Sequence, residues 1–316
     1  MSQILRSPLV GVVPLALLGG WALFVHPAAP GSTSWAVSCA VVAGGLLAGV
    51  ALGRVQPVVP GLLALAVAVG AVVLSAPESL SGNPLAPPLG YMNANGAMLV
   101  AGAGGAVVAA ETRPRSWQLG ASVIALLLAW VCLAEGAQTA AVACLLVAVW
   151  GLLRDLGPTE VWLGAGALVV ALPPFLSVAW ASGAWAPPGA VVSVLSEERL
   201  DLWSEAWGLL GDHPVRGVGP GRFSQESPTA ADPDLAWAHS ALLQTGAELG
   251  WVGVVLLLLV LAWAVVALGR DAILLGALLL PASVDYVLHF GAVLLLSSLV
   301  LGAAVDSGGR GLRLRG

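Results

Sequence analysis

The sequence predicts an all-α fold: a polytopic membrane helix bundle of about ten transmembrane helices, with one large extracytoplasmic loop bearing an interfacial amphipathic helix. Three observations predict it. Hydrophobic residues fill 59% of 316 positions and charged residues only 9%, with a mean hydropathy of +0.94. A soluble domain carries roughly 25% charged residues, so this chain cannot cover a water-facing surface. The apolar residues come in runs near the roughly 20 residues that cross a bilayer core. The twelve cations are all arginine, and most fall at alternate connections between those runs. The net charge of −5 argues against a nucleic-acid partner, which would call for a basic patch.

The first run, 8–25, lacks a convincing signal-peptide cleavage site and is followed by more, so it reads as a retained span. Further runs lie at 35–53, 58–76, 95–110, 117–134, 137–153 and 161–182, then at 241–268, 271–288 and 290–305. The last two also read as one re-entrant hairpin. Several runs are rich in Gly and Ala, which lets membrane helices approach closely. With ten spans, Arg6, Arg54, Arg113, Arg115, Arg154, Arg270, Arg310, Arg313 and Arg315 share one side. The opposite short loops, near His26, Glu78, Glu135 and Phe290, carry none. Cytoplasmic loops hold the excess positive charge, which places both termini in the cytoplasm and the protein in the cytoplasmic (inner) membrane. Arg199, Arg216 and Arg222 share the long loop, and long loops translocate despite their charge.

The chain thus divides into an N-terminal membrane bundle of about seven spans (1–182), an extracytoplasmic loop (183–240), and about three C-terminal spans with a short basic tail (241–316). Trp35, Trp117, Trp130, Trp150, Trp162, Trp180 and Trp185 sit near span ends, as an interfacial belt would place them. Cys39, Cys132 and Cys144 fall in apolar runs and read as core hydrophobes rather than disulfides or metal ligands.

The loop opens irregularly with "SGAWAPPGAVVSVLS". Leu200, Trp203, Trp207 and Leu210 then recur at spacings of three and four, an amphipathic helix over 197–211 with Glu198, Asp201 and Glu205 on its wet side. Its Trp-rich stripe suits the outer membrane interface. Pro214 and the glycines of "GVGPG" end it in a tight turn, which is no phosphate loop because the Gly-Lys-Ser/Thr ending is missing. His239 stands at the mouth of the eighth span, with Gln244 and Glu248 on one helix face beyond it.

"RLDLWSEAWGLLGDHPVRGVGPGRF" followed by "AHSALLQTGAELGWVG" resembles the signature of the O-antigen ligase and polymerase family of membrane glycosyltransferases. The residues that carry the likeness are Arg199, Trp203, His213, Pro214, Gly217, Gly219, Phe223, His239, Glu248, Gly250 and Gly253. "PLGYMNANG" (88–96) and "PASVDYVLHF" (281–290) are similar to two further family elements. The chain departs from the family in three ways. No arginine stands in "SGNPLAPPLGY" just before the Tyr91 element, Pro281 and Ala282 replace a His and a Ser, and about ten spans stand where about twelve are usual.

The resemblance implies transfer of a glycan from a polyprenyl-diphosphate-linked donor to a hydroxyl of a glycan, lipid or protein acceptor, with no cofactor, nucleotide or metal. Such chemistry asks for a cation to hold the leaving diphosphate, which planar arginine does bidentately. It also asks for a base or orienting group at the acceptor hydroxyl, a role that suits neutral histidine, and for a membrane-flush cleft that admits the lipid tail. On this reading His239 and Arg199 are the catalytic pair. Arg216 and Arg222 flank the glycine turn as substrate-binding cations, or as solvated loop residues. Tyr91, Asn93 and Asn95 bind sugar or phosphate, or simply form an Asn-Gly-rich turn. Glu248 serves the site or is a structural acid bonded to Gln244. Asp285 and His289, four apart, form a charge-oriented pair beside the site or a satisfied buried pair. A lipid-linked glycan transporter and a non-catalytic glycan-binding membrane protein are the alternatives. The polar residues gather at the outer mouth rather than deep in broken spans, which favours an enzyme over transport.

Overall fold

The computed structural model describes residues 7–185, 195–231 and 235–313, with side chains as far as 305. Arg6, Arg315, the loop stretch 186–194 and the side chains of Arg310 and Arg313 lie outside the described residues. Among those described, every regular element is helical: α1 (Pro8–Val25), α2 (Ser32–Val55), α3 (Val59–Ser75), α4 (Met92–Ala110), α5 (Arg115–Glu135), α6 (Gln138–Leu153), α7 (Thr159–Ala181), α8 (Glu197–Asp212), α9 (Ala241–Leu268), α10 (Ala272–Leu279) and α11 (Gly291–Arg313), with short helical turns between them. Helices α1, α2, α4, α5 and α7 and the stretch Ala241–Leu279 are long and apolar enough to span a bilayer; α3, α6 and Gly291–Val305 are apolar but shorter. The chain is a multi-pass membrane protein.

One expected span is not a single helix. Over 271–288 the helix stops at Leu279, then passes through 3₁₀ turns at Pro281–Ser283 and Val287–His289. Pro281 has no N–H to carry the ladder on, and the apolar run continues with i→i+3 turns in place of the α-helical ladder.

Helix α4 is the axis of the bundle. Its residues 94–110 are all buried, and nearly all of them are Gly, Ala or Val. Small residues let neighbours come to backbone distance. A Cβ at Gly105 would run into the Gly61 carbonyl of α3, and one at Gly49 of α2 would strike the Leu299 carbonyl of α11. A single core draws on both ends of the chain, from Leu15 and Leu46 through α4 to Val300 and Ala303.

Three arginine-bearing connections converge at one end of this axis. Arg270 Nη2 lies 3.1 Å from Glu111, Arg154 Nη1 lies 4.0 Å from the same oxygen, and Arg115 lies 3.6 Å from Asp155. The tryptophan belt is only partly a belt. Trp117 and Trp130 are exposed, whereas Trp150 is buried, donating to the Arg270 carbonyl (3.2 Å) and lying under the Arg154 guanidinium. Trp35 likewise turns inward, to Glu248.

At the other end α8 packs on α7 and α9. Leu200, Leu202, Trp203, Ala206 and Leu210 are buried, and Trp207 meets Trp251 edge-on at 6.1 Å. Glu198 and Asp201 face water as expected, but Glu205 does not. It accepts from Ser227 and from the Thr229 hydroxyl (2.7 Å), pinning the returning loop to the helix.

Candidate functional site

The turn after α8 closes the loop back onto α9. Gly250 has φ +68° and ψ −169° inside α9, so the helix opens there, and its freed carbonyls take partners from the turn. Val218 N donates to the Ala247 carbonyl (2.8 Å), Gly219 N to Glu248 (3.1 Å) and Trp251 N to Pro214 (2.7 Å). Gly217, at φ +62°, faces this opening. A Cβ there would enter the Glu248 backbone, and one on Gly250 would enter Val215. Only glycine fits both sides of the contact.

That docking brings Arg199, at the start of α8, and His239, just before α9, to one carboxylate. Asp285 sits between the two 3₁₀ turns and is 3% exposed. Arg199 Nη2 lies 3.2 Å from Oδ2, and His239 Nδ1 lies 3.3 Å from Oδ1. The Tyr91 hydroxyl reaches both oxygens (2.8 and 2.7 Å), Asn93 Nδ2 donates to Oδ2 (2.6 Å) and the Tyr286 N–H to Oδ1 (2.7 Å). Such a ring of donors satisfies a buried carboxylate as the anion. Burial, then the Asp285 charge beside it, pushes the Tyr91 phenol well above its usual range, so Tyr91 serves as a fixed donor.

His239 is buried, with φ +50°, a region that favours glycine. Trp203 Nε1 donates to its carbonyl (3.3 Å). Its Nε2 is buried with no hydrogen-bond partner among the described residues. Nδ1 faces Asp285 Oδ1 at 3.3 Å but makes no hydrogen bond either; a proton on Nδ1 would meet the carboxylate and leave the lone pair on Nε2. Tyr286 stands edge-on to the imidazole at 5.0 Å and stacks on Tyr91 at 4.6 Å, while Trp237 covers His289 at 3.8 Å.

The remaining candidates separate. Asp285 and His289 do not pair: residues 285–289 are not α-helical, and His289 Nδ1 lies 3.0 Å from the Tyr286 carbonyl. The i,i+4 rule that joined them holds only on a helix. Arg222 pairs with Glu226 at 3.1 Å in an exposed i,i+4 bridge, and Arg216 is exposed on the turn. Glu248 is fully buried, accepting from Trp35 Nε1 and Gln244 Nε2, each at 2.7 Å. "NANG" opens α4 rather than forming a turn. Asn93 faces Asp285, but Asn95 spends its amide on the Ala86 and Pro87 carbonyls (3.0 and 3.1 Å). Sequence reasoning missed Tyr286, Trp237 and Trp35 at the site. Tyr286 was visible inside the "PASVDYVLHF" element; Trp35 carried no local signal.

Comparison with known proteins agrees with the motif. Residues 120–258 match the family model described as O-antigen ligase. The matched segment contains Arg199, Arg216, Arg222, His239 and Glu248; Tyr91, Asn93, Asp285 and His289 lie outside it. A search of curated proteins found no match.

Proposed function

From the match of residues 120–258 to the O-antigen ligase family model, we propose an O-antigen-ligase-like glycosyltransferase on the outer side of the cytoplasmic membrane. It moves a glycan from a polyprenyl diphosphate to an acceptor hydroxyl of a glycan, lipid or protein. One observation carries this reading: a single buried carboxylate, Asp285, holds both the Arg199 guanidinium and the His239 imidazole.

Each group then has a task. Asp285, 3.3 Å from Nδ1, draws the ring proton to that nitrogen and leaves Nε2 free to take one. Nε2 removes the proton of the acceptor hydroxyl as its oxygen bonds to the anomeric carbon. The bond from that carbon to the diphosphate oxygen breaks, and the electron pair leaves with polyprenyl diphosphate. Arg199 gives one N–H to Asp285 and keeps others for the leaving diphosphate, whose charge grows as the bond breaks. The Asp285 charge limits rotation of the fork, so orientation is set before substrate arrives.

The lipid tail has a groove to occupy. An apolar cleft of about 680 Å³ runs between α7 and α9 under α8, lined by Val170, Phe175, Trp207, Leu243, Trp251 and Val254. Leu243, in the first turn of α9, follows His239 by four residues.

The test is a reaction of purified protein with a polyprenyl-diphosphate oligosaccharide and a glycolipid acceptor. Transfer by the wild type and a loss of roughly 10²–10⁴-fold in His239→Ala are expected. Undiminished transfer by a stably inserted His239→Ala would end this reading.

A further inference from the structure

We propose that Gln244 and Glu248 are positioning residues for His239, a hydrogen-bonded relay that fixes the backbone on which the imidazole is carried. The proposal rests on the reading of His239 as the group that meets the acceptor hydroxyl.

The relay runs inward from the residue before His239. The Ala238 N–H donates to Gln244 Oε1 at 2.6 Å. Gln244 Nε2 donates to Glu248 Oε1 at 2.7 Å, and the other carboxylate oxygen accepts from Trp35 Nε1 at 2.7 Å. Gln244 is 3% exposed and Glu248 is 0% exposed, so water offers no substitute partners. A glutamine amide has two ends, and its neighbours choose between them. Trp35 donates to one Glu248 oxygen and Gln244 presents its NH₂ to the other, so both oxygens accept. The Gln244 carbonyl oxygen must then face the Ala238 N–H. Glu248 thereby sets the polarity of the bond that holds Ala238.

That bond matters because His239 sits at φ +50°, a conformation L side chains rarely adopt. The position is held from both sides, by Gln244 on the Ala238 amide and by Trp203 Nε1 on the His239 carbonyl. Release of either clamp lets the backbone relax and carries the imidazole away from Asp285. A displacement on the order of 1 Å at a reacting group costs about 10²-fold in rate.

The relay makes a prediction that bulk packing does not. In Glu248→Gln, a lone carbonyl oxygen cannot serve both Trp35 and Gln244. Gln244 then turns its own oxygen inward and its NH₂ toward the Ala238 N–H, donor against donor. The exchange Gln244→Glu together with Glu248→Gln restores the bonds that join Ala238, residue 244, residue 248 and Trp35. The glutamate at 244 accepts from Ala238 and from the amide at 248, whose oxygen accepts from Trp35. Gln244→Met removes the Ala238 acceptor alone, at similar volume.

The experiment measures kcat and donor KM for these three variants in the transfer reaction, beside His239→Ala, with hydrogen exchange of the Ala238 amide as an independent readout. Glu248→Gln and Gln244→Met are expected to lose about 10²-fold in kcat with donor KM unchanged, and to exchange Ala238 rapidly. The double exchange is expected to recover to within about tenfold of wild type and to protect Ala238 again. A double exchange no better than Glu248→Gln, or wild-type kcat in Gln244→Met, would overturn the relay. If His239→Ala retains full activity, the role of His239 falls, and the Ala238 exchange pattern alone then decides whether the relay exists.

Discussion

The two ends of α4 carry the same ingredients, buried carboxylates with arginine, and put them to different use. Asn93, in its first turn, meets Asp285, and Glu111, at its C-cap, meets Arg270. The 19 residues between its bounds separate the clusters by roughly 28 Å at 1.5 Å per residue. At the Glu111 end, charges answer charges. Arg270 reaches Glu111, Asp155 and Asp271, while Arg154 is buried against Glu111 and the Trp150 ring. This network ties three connections together. At the Asp285 end, one acid collects partners from three segments distant in sequence, and a capacity is left over: His239 Nε2 is buried without a hydrogen-bond partner among the described residues, and the Arg199 side chain is 24% exposed. Arg154 Nε and Nη1 are also buried without such a hydrogen-bond partner, but a guanidinium can only donate, whereas the unpartnered Nε2 at the Asp285 end can take a proton.

The largest expected difference between the ends is which side of the membrane each faces. A cysteine in place of Arg216 should react with a membrane-impermeant thiol reagent added outside cells. One in place of Arg115 should react only after the membrane is opened. Labelling of both from the same side would break the comparison.

Activity comes next. Asp285→Asn removes the anion that orients two groups and should lower kcat by about 10²–10⁴-fold in protein that inserts normally. Arg199→Lys should cost about 10²-fold, because a point charge cannot keep one N–H on Asp285 and present a planar fork to a diphosphate. At the Glu111 end the effect should move to stability. Glu111→Gln leaves Arg154 without its buried acid and should cost about 3–5 kcal/mol, read as thermal unfolding in detergent, with transfer per folded molecule unchanged. The smallest effect belongs to Arg222→Gln, which breaks an exposed pair worth about 0–1 kcal/mol. Its transfer rate should stay within a few-fold of wild type, and a larger fall would restore Arg222 to the site.

How much of this was legible follows from what each feature depends on. Bilayer thickness is a one-dimensional constraint, so run length located α1 to α7 and α9 to within a few residues. The three-and-four spacing of Leu200, Trp203, Trp207 and Leu210 likewise gave α8, whose observed span is Glu197–Asp212. The same logic failed at 271–288, where apolar composition outlasted the helix and Pro281 ended it. That failure hid the centre of the site. Asp285 was paired with His289 by a helical rule, while its partners Tyr91, Arg199 and His239 lie 194, 86 and 46 positions away. Motif likeness, not periodicity, had placed those residues together. Trp35, which completes the partners of Glu248 from 213 positions away, belongs to the same class of contact, visible only once the chain is folded.

The measurement that bears most directly on the account is a double-mutant comparison of His239→Ala and Asp285→Asn in the purified transfer reaction. Residues that act as a unit are strongly non-additive. If Asp285 works by orienting His239 as well as Arg199, the double variant should fall below His239→Ala only by the Arg199 share, well short of the product of the two losses. Losses that multiply, so that the double variant falls by the product of the two, would contradict the claim that one carboxylate organises the site.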